Sequence, residues 1–168
     1  MLAEVLRARG MTMAAAESCT GGLIAAACTG LAGSSAWFER GFVTYSNAAK
    51  TELLGVDPGL IAQHGAVSGE VARALAEGAL QRSPAGCAVA VTGIAGPGGA
   101  TPGKPVGTVW VAVALRGQPA VAERLQLEGD RHAVREATVH RACHALAAAA
   151  ASLPLPPAAA SPDAPAPS

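Results

Sequence analysis

Three nucleophilic side chains stand together in residues 14–22, where the sequence AAAESCTGG ends a short apolar run and opens into two glycines. A strand, a sharp turn and a helix start form the arrangement that lifts one reactive side chain above a sheet, and the helix start adds backbone N–H groups for a developing oxyanion. We interpret Ser18 as an acylating nucleophile. The alternative is that Ser18 or Thr20 caps the helix. Cys19 is a rival nucleophile, although no histidine lies near it in the sequence to form its pair.

Lys50 is the candidate base for this serine. It lies in the first turn of a helix predicted after a second strand, residues 41–46, so Ser18 and Lys50 both follow the carboxyl ends of strands. Neighbouring parallel strands bring those ends together at the edge where open α/β sheets place their sites. A lysine desolvated there has a lowered pKa and can take the serine proton. The alternative is a solvated surface lysine, and Tyr45 adds a hydrogen-bonding group to the same edge.

A glycine-rich loop follows the third predicted strand, residues 87–91. It begins at Thr92 and Gly93, and its glycines, Gly96 among them, let the backbone approach a ligand closely. The alternative is a mobile loop. Residues 98–105 imitate part of a P-loop, but proline and a strand follow the lysine where the motif requires Ser or Thr and a helix. The sequence therefore excludes a P-loop nucleoside triphosphatase.

Arg131 and Arg135 lie four residues apart on one face of the last predicted helix. Two guanidinium groups on one face can bind a phosphate, and the alternative is that one or both pair with surface carboxylates. His140 and His144 repeat the same spacing. Arg141 stands where an H-E-x-x-H motif has its glutamate, so we predict no metal site.

The elements that position these residues follow from apolar spacing and capping residues. Helices interspersed with buried strands predict a three-layer α/β/α domain over residues 1–151, with a mixed, mostly parallel sheet because the last two strands form a hairpin. Asn47 is the predicted N-cap of the helix that carries Lys50. The tail, residues 152–168, is rich in Pro, Ala and Ser, and we predict that it is disordered. The predicted strands are residues 11–16, 41–46, 87–91, 108–115 and 120–127.

Composition limits the partners and the compartment. The chain has 12 basic residues (Lys and Arg) and 12 acidic residues (Asp and Glu), and aromatic residues make up 3%. It therefore lacks the basic excess and the stacking residues of a nucleic-acid binder. The four cysteines form no C-x-x-C pair, and neither a signal peptide nor a membrane span is apparent. These features predict a soluble cytoplasmic protein with reduced thiols and with no nucleic-acid or membrane partner.

Taken together, these segments resemble the CinA C-terminal-domain family, the nicotinamide-nucleotide amidohydrolases. The resemblance covers about residues 1–150 in the expected order. The matching segments are residues 16–22, 33–35, 41–50, 64–68, 92–97, 104–109 and 129–131.

The resemblance implies hydrolysis of the carboxamide of nicotinamide mononucleotide to nicotinate mononucleotide and ammonia. It implies a serine–lysine dyad that acts without metal or other cofactor, at the matching positions Ser18 and Lys50, and a homo-oligomer. Two alternatives stay open: a catalytically silent nucleotide-binding or competence-associated regulatory module, and an amidase for another amide such as free nicotinamide. For the mononucleotide we nominate as binding residues Thr20, Gly21, Gly22, Tyr45, Thr92, Gly93, Gly96, Arg131 and Arg135.

Overall fold

The structure is a computed structural model that describes residues 1–157. The strands are β1 (Met13–Glu17), β2 (Phe38–Val43), β3 (Cys87–Gly93), β4 (Thr108–Leu115) and β5 (Val121–Gln126). The helices are α1 (Leu2–Ala8), α2 (Leu23–Thr29), α3 (Asn47–Leu54), α4 (Pro58–His64), α5 (Gly69–Gln81) and α6 (Arg131–Ala151), with a 3₁₀ turn at Ser34–Ala36.

The five strands form one mixed sheet in the order β2-β1-β3-β4-β5. β1 pairs in parallel with β2 and β3, whereas the β3–β4 and β4–β5 pairs are antiparallel. Four of the five strands therefore point in one direction. One face of the sheet packs against α1, α2 and α6, and the other packs against α3, α4 and α5. The predicted three-layer α/β/α architecture is confirmed.

The central strand β1 is buried over its whole length. Its side chains alternate between the two faces, as the period of a strand requires. Met13 and Ala15 join the core beneath α2 and α6, whereas Ala14 and Ala16 join the core beneath α5. The alternation continues beyond Ala16. Glu17 points toward α2, and Ser18 points to the opposite face of the sheet, which carries α3.

The structure corrects two local predictions around α3. The second strand covers Phe38–Val43 and not residues 41–46. It is an edge strand with a polar, partly exposed stretch, and charged residues at an edge hide the apolar pattern on which the prediction depended. Asn47 is the first residue of α3 and not its N-cap. The cap is Ser46, whose Oγ accepts a hydrogen bond from Ala49 N–H at 3.0 Å.

The last helix ends at Ala151, and the structure follows the chain for six residues beyond it. The predicted disordered tail, residues 152–168, therefore lies outside the described residues from residue 158 onward. Within residues 1–157, no helix combines the length and the apolar character needed to cross a membrane.

Candidate active site

Ser18 lies directly after β1, at the carboxyl edge of the parallel strands. Its backbone N–H donates to Val91 O at 3.2 Å and extends the sheet by one residue. The chain then reverses through Gly21 and Gly22, whose φ angles of +57° and +106° favour glycine. α2 begins at Leu23. The predicted strand, turn and helix start are thus confirmed, and the Ser18 side chain is 9% exposed at their junction.

The carboxylate of Glu17 holds this turn from the face of α2. Its Oε2 accepts hydrogen bonds from the Thr20 hydroxyl at 2.6 Å and from the N–H groups of Gly22 at 3.1 Å and Ile24 at 2.9 Å. Its Oε1 accepts from Ala25 N–H at 2.9 Å. Glu17 therefore satisfies the free N–H groups at the start of α2 from a position before the helix. The alternative that a hydroxyl of the turn caps this helix is wrong.

Sequence analysis did not identify Glu17 as a functional residue. The sequence signal that indicates such a residue is a single carboxylate at the end of an otherwise apolar strand. A fully buried charge requires several hydrogen-bond donors, and the nearest cluster of unpaired donors is the helix start that follows.

Arg135 braces the same turn from α6. Its Nε donates to Cys19 O and its Nη2 donates to Thr20 O, both at 3.1 Å. Among the described residues, neither Arg131 nor Arg135 forms an ion pair with a carboxylate, so the surface-pairing alternative is wrong. Two of the five N–H groups of the Arg135 guanidinium therefore donate to backbone carbonyls of the turn.

Lys50 reaches Ser18 from α3. Its Nζ lies 3.2 Å from Ser18 Oγ, and it donates to Thr44 O at 2.9 Å and to Tyr45 O at 3.2 Å. The Lys50 side chain is 1% exposed, so the alternative of a solvated surface lysine is wrong. The two side chains meet because β1 and β2 are parallel neighbours and both residues follow their carboxyl ends.

The surroundings of Lys50 favour its neutral form. Burial lowers the pKa of Lys50 because the ammonium form loses its hydration, and no carboxylate pairs with it among the described residues. A neutral amine has two N–H groups and one lone pair. The carbonyls of Thr44 and Tyr45 accept the two N–H groups, and the lone pair is then left to accept the Ser18 proton.

Cys19 is a weak candidate for the nucleophile. Its side chain is 7% exposed, and burial raises the pKa of its thiol to about 11. The thiolate is the reactive form of cysteine, so this thiol is almost entirely in its unreactive form near neutral pH.

The glycine-rich loop after β3 is fixed by contacts with its neighbours. The Thr92 hydroxyl donates to Ala66 O at 2.8 Å, and a Cβ on Gly93 would lie 2.6 Å from a methyl of Val109. Gly96 has a φ of +82°. These contacts give the Thr92 and Gly93 positions a structural role, and the alternative of a mobile loop finds no support at this end of the loop.

Arg131 joins the loop to the edge of the site. Its Nη1 donates to Gly96 O at 2.8 Å, and its Nη2 lies 3.4 Å from the Tyr45 hydroxyl. Tyr45 is 62% exposed. Arg131 is also exposed, so its guanidinium remains accessible to an anion approaching from solvent.

A cleft of about 710 Å³ opens beside this edge. Its wall contains Arg135, which also contacts the turn that carries Ser18. The glycine-rich loop supplies one side and the start of α6 supplies the other. The cleft is lined by Ala95, Pro97, Val106, Gly129, Asp130, Arg131, His132 and Arg135.

The Thr20 side chain is turned away from solvent. It is fully buried and its hydroxyl donates to Glu17, so contact with a substrate could come only from the Thr20 backbone. His140 and His144 lie exposed on α6. In the part of the chain that the structure describes, no three His, Cys, Asp or Glu side chains converge in a way that could hold a metal ion.

Comparison with protein families matches residues 1–150 to the CinA C-terminal domain. A nicotinamide-nucleotide amidohydrolase PncC from Enterobacter agglomerans is 54% identical over 134 residues, which are 80% of this chain and 82% of that protein. A CinA-like protein from Mycolicibacterium vanbaalenii is 58% identical over 86% of this chain. The chain spans only 34% of the length of that longer relative.

Solved structures share the fold at high sequence identity. A CinA superfamily protein from Klebsiella pneumoniae superposes with a TM-score of 0.87 and 39% identity, over 90% of this chain and 94% of that one. A competence/damage inducible protein from Agrobacterium tumefaciens gives a TM-score of 0.82 and 46% identity, over 88% of this chain and 94% of that one.

Proposed function

The chain belongs to the CinA C-terminal domain family, and on this premise we propose that it hydrolyses the carboxamide of nicotinamide mononucleotide to nicotinate mononucleotide and ammonia. The relative from Enterobacter agglomerans, which bears the name of this activity, supports the choice of substrate. The proposed chemistry is acyl transfer through a serine–lysine dyad.

The observation that carries the proposal is the buried contact between Lys50 Nζ and Ser18 Oγ at 3.2 Å. A buried lysine without a counter-ion is costly unless it is neutral. Two backbone carbonyls occupy the N–H groups of the neutral amine and leave its lone pair for the serine hydroxyl. A binding module would gain nothing from burying this pair, so the arrangement favours an enzyme.

In the first half of the reaction, neutral Lys50 accepts the proton of Ser18. The serine oxygen forms a bond to the carboxamide carbon, and the carbonyl oxygen becomes an oxyanion held by backbone N–H groups of the turn. Protonated Lys50 then gives its proton to the amide nitrogen, the C–N bond breaks, and ammonia leaves. The product of this half is an ester between Ser18 and the nicotinate group.

In the second half, water replaces ammonia. Lys50, neutral again, accepts a proton from the water, whose oxygen attacks the ester carbon. The bond to Ser18 breaks, the serine oxygen recovers its proton from Lys50, and nicotinate mononucleotide departs. The scheme uses no metal ion, and addition of a chelator tests this point directly.

Arg131 is the proposed contact for the 5′-phosphate. It is exposed at the rim of the cleft, close to Tyr45 and to the glycine-rich loop at Gly96. An arginine accessible to solvent can donate to a phosphate with paired N–H groups. This role predicts that the enzyme prefers the mononucleotide to free nicotinamide.

The experiment that tests the function is the release of ammonia and nicotinate mononucleotide by the purified wild-type protein, with and without EDTA. Equal amounts of both products, unaffected by the chelator, are expected. Free nicotinamide under the same conditions is expected to react far more slowly. Binding of the mononucleotide without any release of ammonia would favour the regulatory binding module and contradict the proposal.

Two further expectations remain predictions. All four cysteines are free, three of them buried, which suits a reducing compartment, and we place the reaction in the cytoplasm. We also expect a homo-oligomer, which light scattering of the purified protein would detect.

A further inference from the structure

We propose that Arg135 is a positioning residue that orients the Cys19–Thr20 peptide, so that the Thr20 N–H group donates to the oxyanion formed during attack by Ser18. This inference rests on the proposed function. In this proposal Arg135 acts on the turn that carries Ser18, and groups other than Arg135 bind the phosphate of the substrate.

Arg135 uses two N–H groups on two successive carbonyls of one turn. Nε donates to Cys19 O and Nη2 donates to Thr20 O, each at 3.1 Å. A planar guanidinium presents these donors in a fixed fork, so the two carbonyls are held toward α6. A Cβ built on Gly21, the next residue of the turn, would lie 3.6 Å from Arg135 Nη2, so the guanidinium lies beside this residue as well.

Peptide geometry then fixes the direction of one N–H group. The Cys19–Thr20 peptide is trans, and in a planar trans peptide the C=O and the N–H point in opposite directions. Because Cys19 O points to Arg135, Thr20 N–H points away from Arg135. A cation on the carbonyl also polarises the peptide and strengthens the N–H as a donor.

Two of the N–H groups that follow the nucleophile have acceptors, whereas the Cys19 N–H has none among the described residues. Gly21 N–H donates to Ser18 O at 3.1 Å, and Glu17 accepts from both the Thr20 hydroxyl and Gly22 N–H. Within residues 1–157, Thr20 N–H has no acceptor. A backbone donor two residues beyond the nucleophile, polarised and without a partner, is the kind of group that stabilises a developing oxyanion.

Arg131 provides the contrast that makes the proposal testable. Arg131 is exposed and lies at the rim of the cleft, where a phosphate contact would lower KM. Arg135 acts through the Thr20 peptide, where a loss of alignment lowers kcat. Nicotinamide riboside, which lacks the phosphate, separates the two effects.

The experiment measures kcat and KM for nicotinamide mononucleotide and nicotinamide riboside in the wild type and in Arg135→Gln and Arg135→Lys. Arg141→Gln is the matched control, because Arg141 is exposed on the same helix and its Nη2 lies 3.5 Å from exposed Glu123. Misplacement of a catalytic group by about 1 Å can cost about 10²-fold in rate, so we expect kcat of Arg135→Gln to fall by about that factor on both substrates. KM should change little, and Arg135→Lys should recover part of kcat because its ammonium can still donate to the carbonyls.

Two results would overturn the proposal. One is a raised KM of Arg135→Gln for the mononucleotide with unchanged rates on the riboside, which is the behaviour of a phosphate ligand. The other is a kcat equal to that of Arg141→Gln in a folded Arg135→Gln protein, as checked by thermal unfolding, or in Arg135→Lys where Arg135→Gln does not fold. If the wild type itself releases no ammonia from either substrate, the proposed function is refuted. That result is distinguishable from the two results above, because both of them require an active wild type.

Discussion

Substitution of Glu17 by glutamine tests whether a buried carboxylate holds the catalytic turn in place. Glutamine keeps the size of the side chain and removes its charge. In the wild type, Oε2 accepts three hydrogen bonds and Oε1 accepts one, from Ala25 N–H. The best fit of the amide therefore puts its oxygen at the Oε2 position and its NH₂ group against Ala25 N–H.

The cost follows from these four contacts. The NH₂ group of the glutamine and the N–H group of Ala25 are both donors, so the Ala25 N–H loses its acceptor, which costs about 1–3 kcal/mol. The other three bonds change from charge-assisted to neutral and each weakens by about 1 kcal/mol. Removal of a buried charge offsets part of this loss, because an ionised group is more costly to bury than an amide. We expect a net loss of about 2–5 kcal/mol in the free energy of unfolding for Glu17→Gln.

Urea denaturation measures this loss as a lower midpoint at an unchanged slope. The matched control is Glu77→Gln, because Glu77 is exposed on α5 and its change should stay within about 0.5 kcal/mol. A loss below about 1 kcal/mol for Glu17→Gln, similar to that of the control, would refute the assignment of Glu17 as the anchor of the turn.

Three further predictions concern Lys50, Cys19 and Gly78. Because burial lowers the pKa of Lys50, the unfolded chain binds more protons than the folded one between that lowered pKa and about 10.4. Activity and stability should both rise with pH through the lowered pKa. The melting temperature of Lys50→Met should lack this rise with pH, and the same rise in the wild type and in Lys50→Met would contradict the effect of burial on Lys50. Burial raises the pKa of Cys19 to about 11, so iodoacetamide should alkylate it slowly near neutral pH and Cys19→Ala should keep its activity, whereas rapid inactivation through Cys19 would oppose the serine mechanism. Gly78→Ala should lower the urea midpoint despite a gain of up to about 1 kcal/mol in helix propensity, because its Cβ would overlap the Leu54 carbonyl. Gly98→Ala is the control, since a Cβ there meets open space. Equal urea midpoints for the two variants would contradict the close packing of Gly78 against Leu54.

The sequence was sufficient to predict the architecture and the approach of Ser18 to Lys50. Both residues follow strands with recognisable turns, and parallel pairing alone brings their positions together. The distance and the burial of the pair were not predictable, because they depend on how α3 packs against the sheet. The resemblance to a family supplied the substrate, which the spacing of residues could not provide.

The roles of Glu17 and Arg135 could not be obtained from local sequence. Glu17 is identifiable only once its strand is known to be fully buried. Arg135 lies more than a hundred residues from the carbonyls it contacts. Its spacing from Arg131 suggested a shared phosphate site, but the fold directs the two guanidinium groups to different partners.

The most direct test of the account measures initial rates of ammonia release from nicotinamide mononucleotide by the wild type, Ser18→Ala, Lys50→Ala and the double variant. Groups that act as one catalytic unit are not additive, so we predict that each single variant loses almost all activity and that the double variant loses no more. Activity in Ser18→Ala within about tenfold of the wild type, a difference of only about 1.4 kcal/mol in barrier, would contradict the account and move the nucleophile to another group.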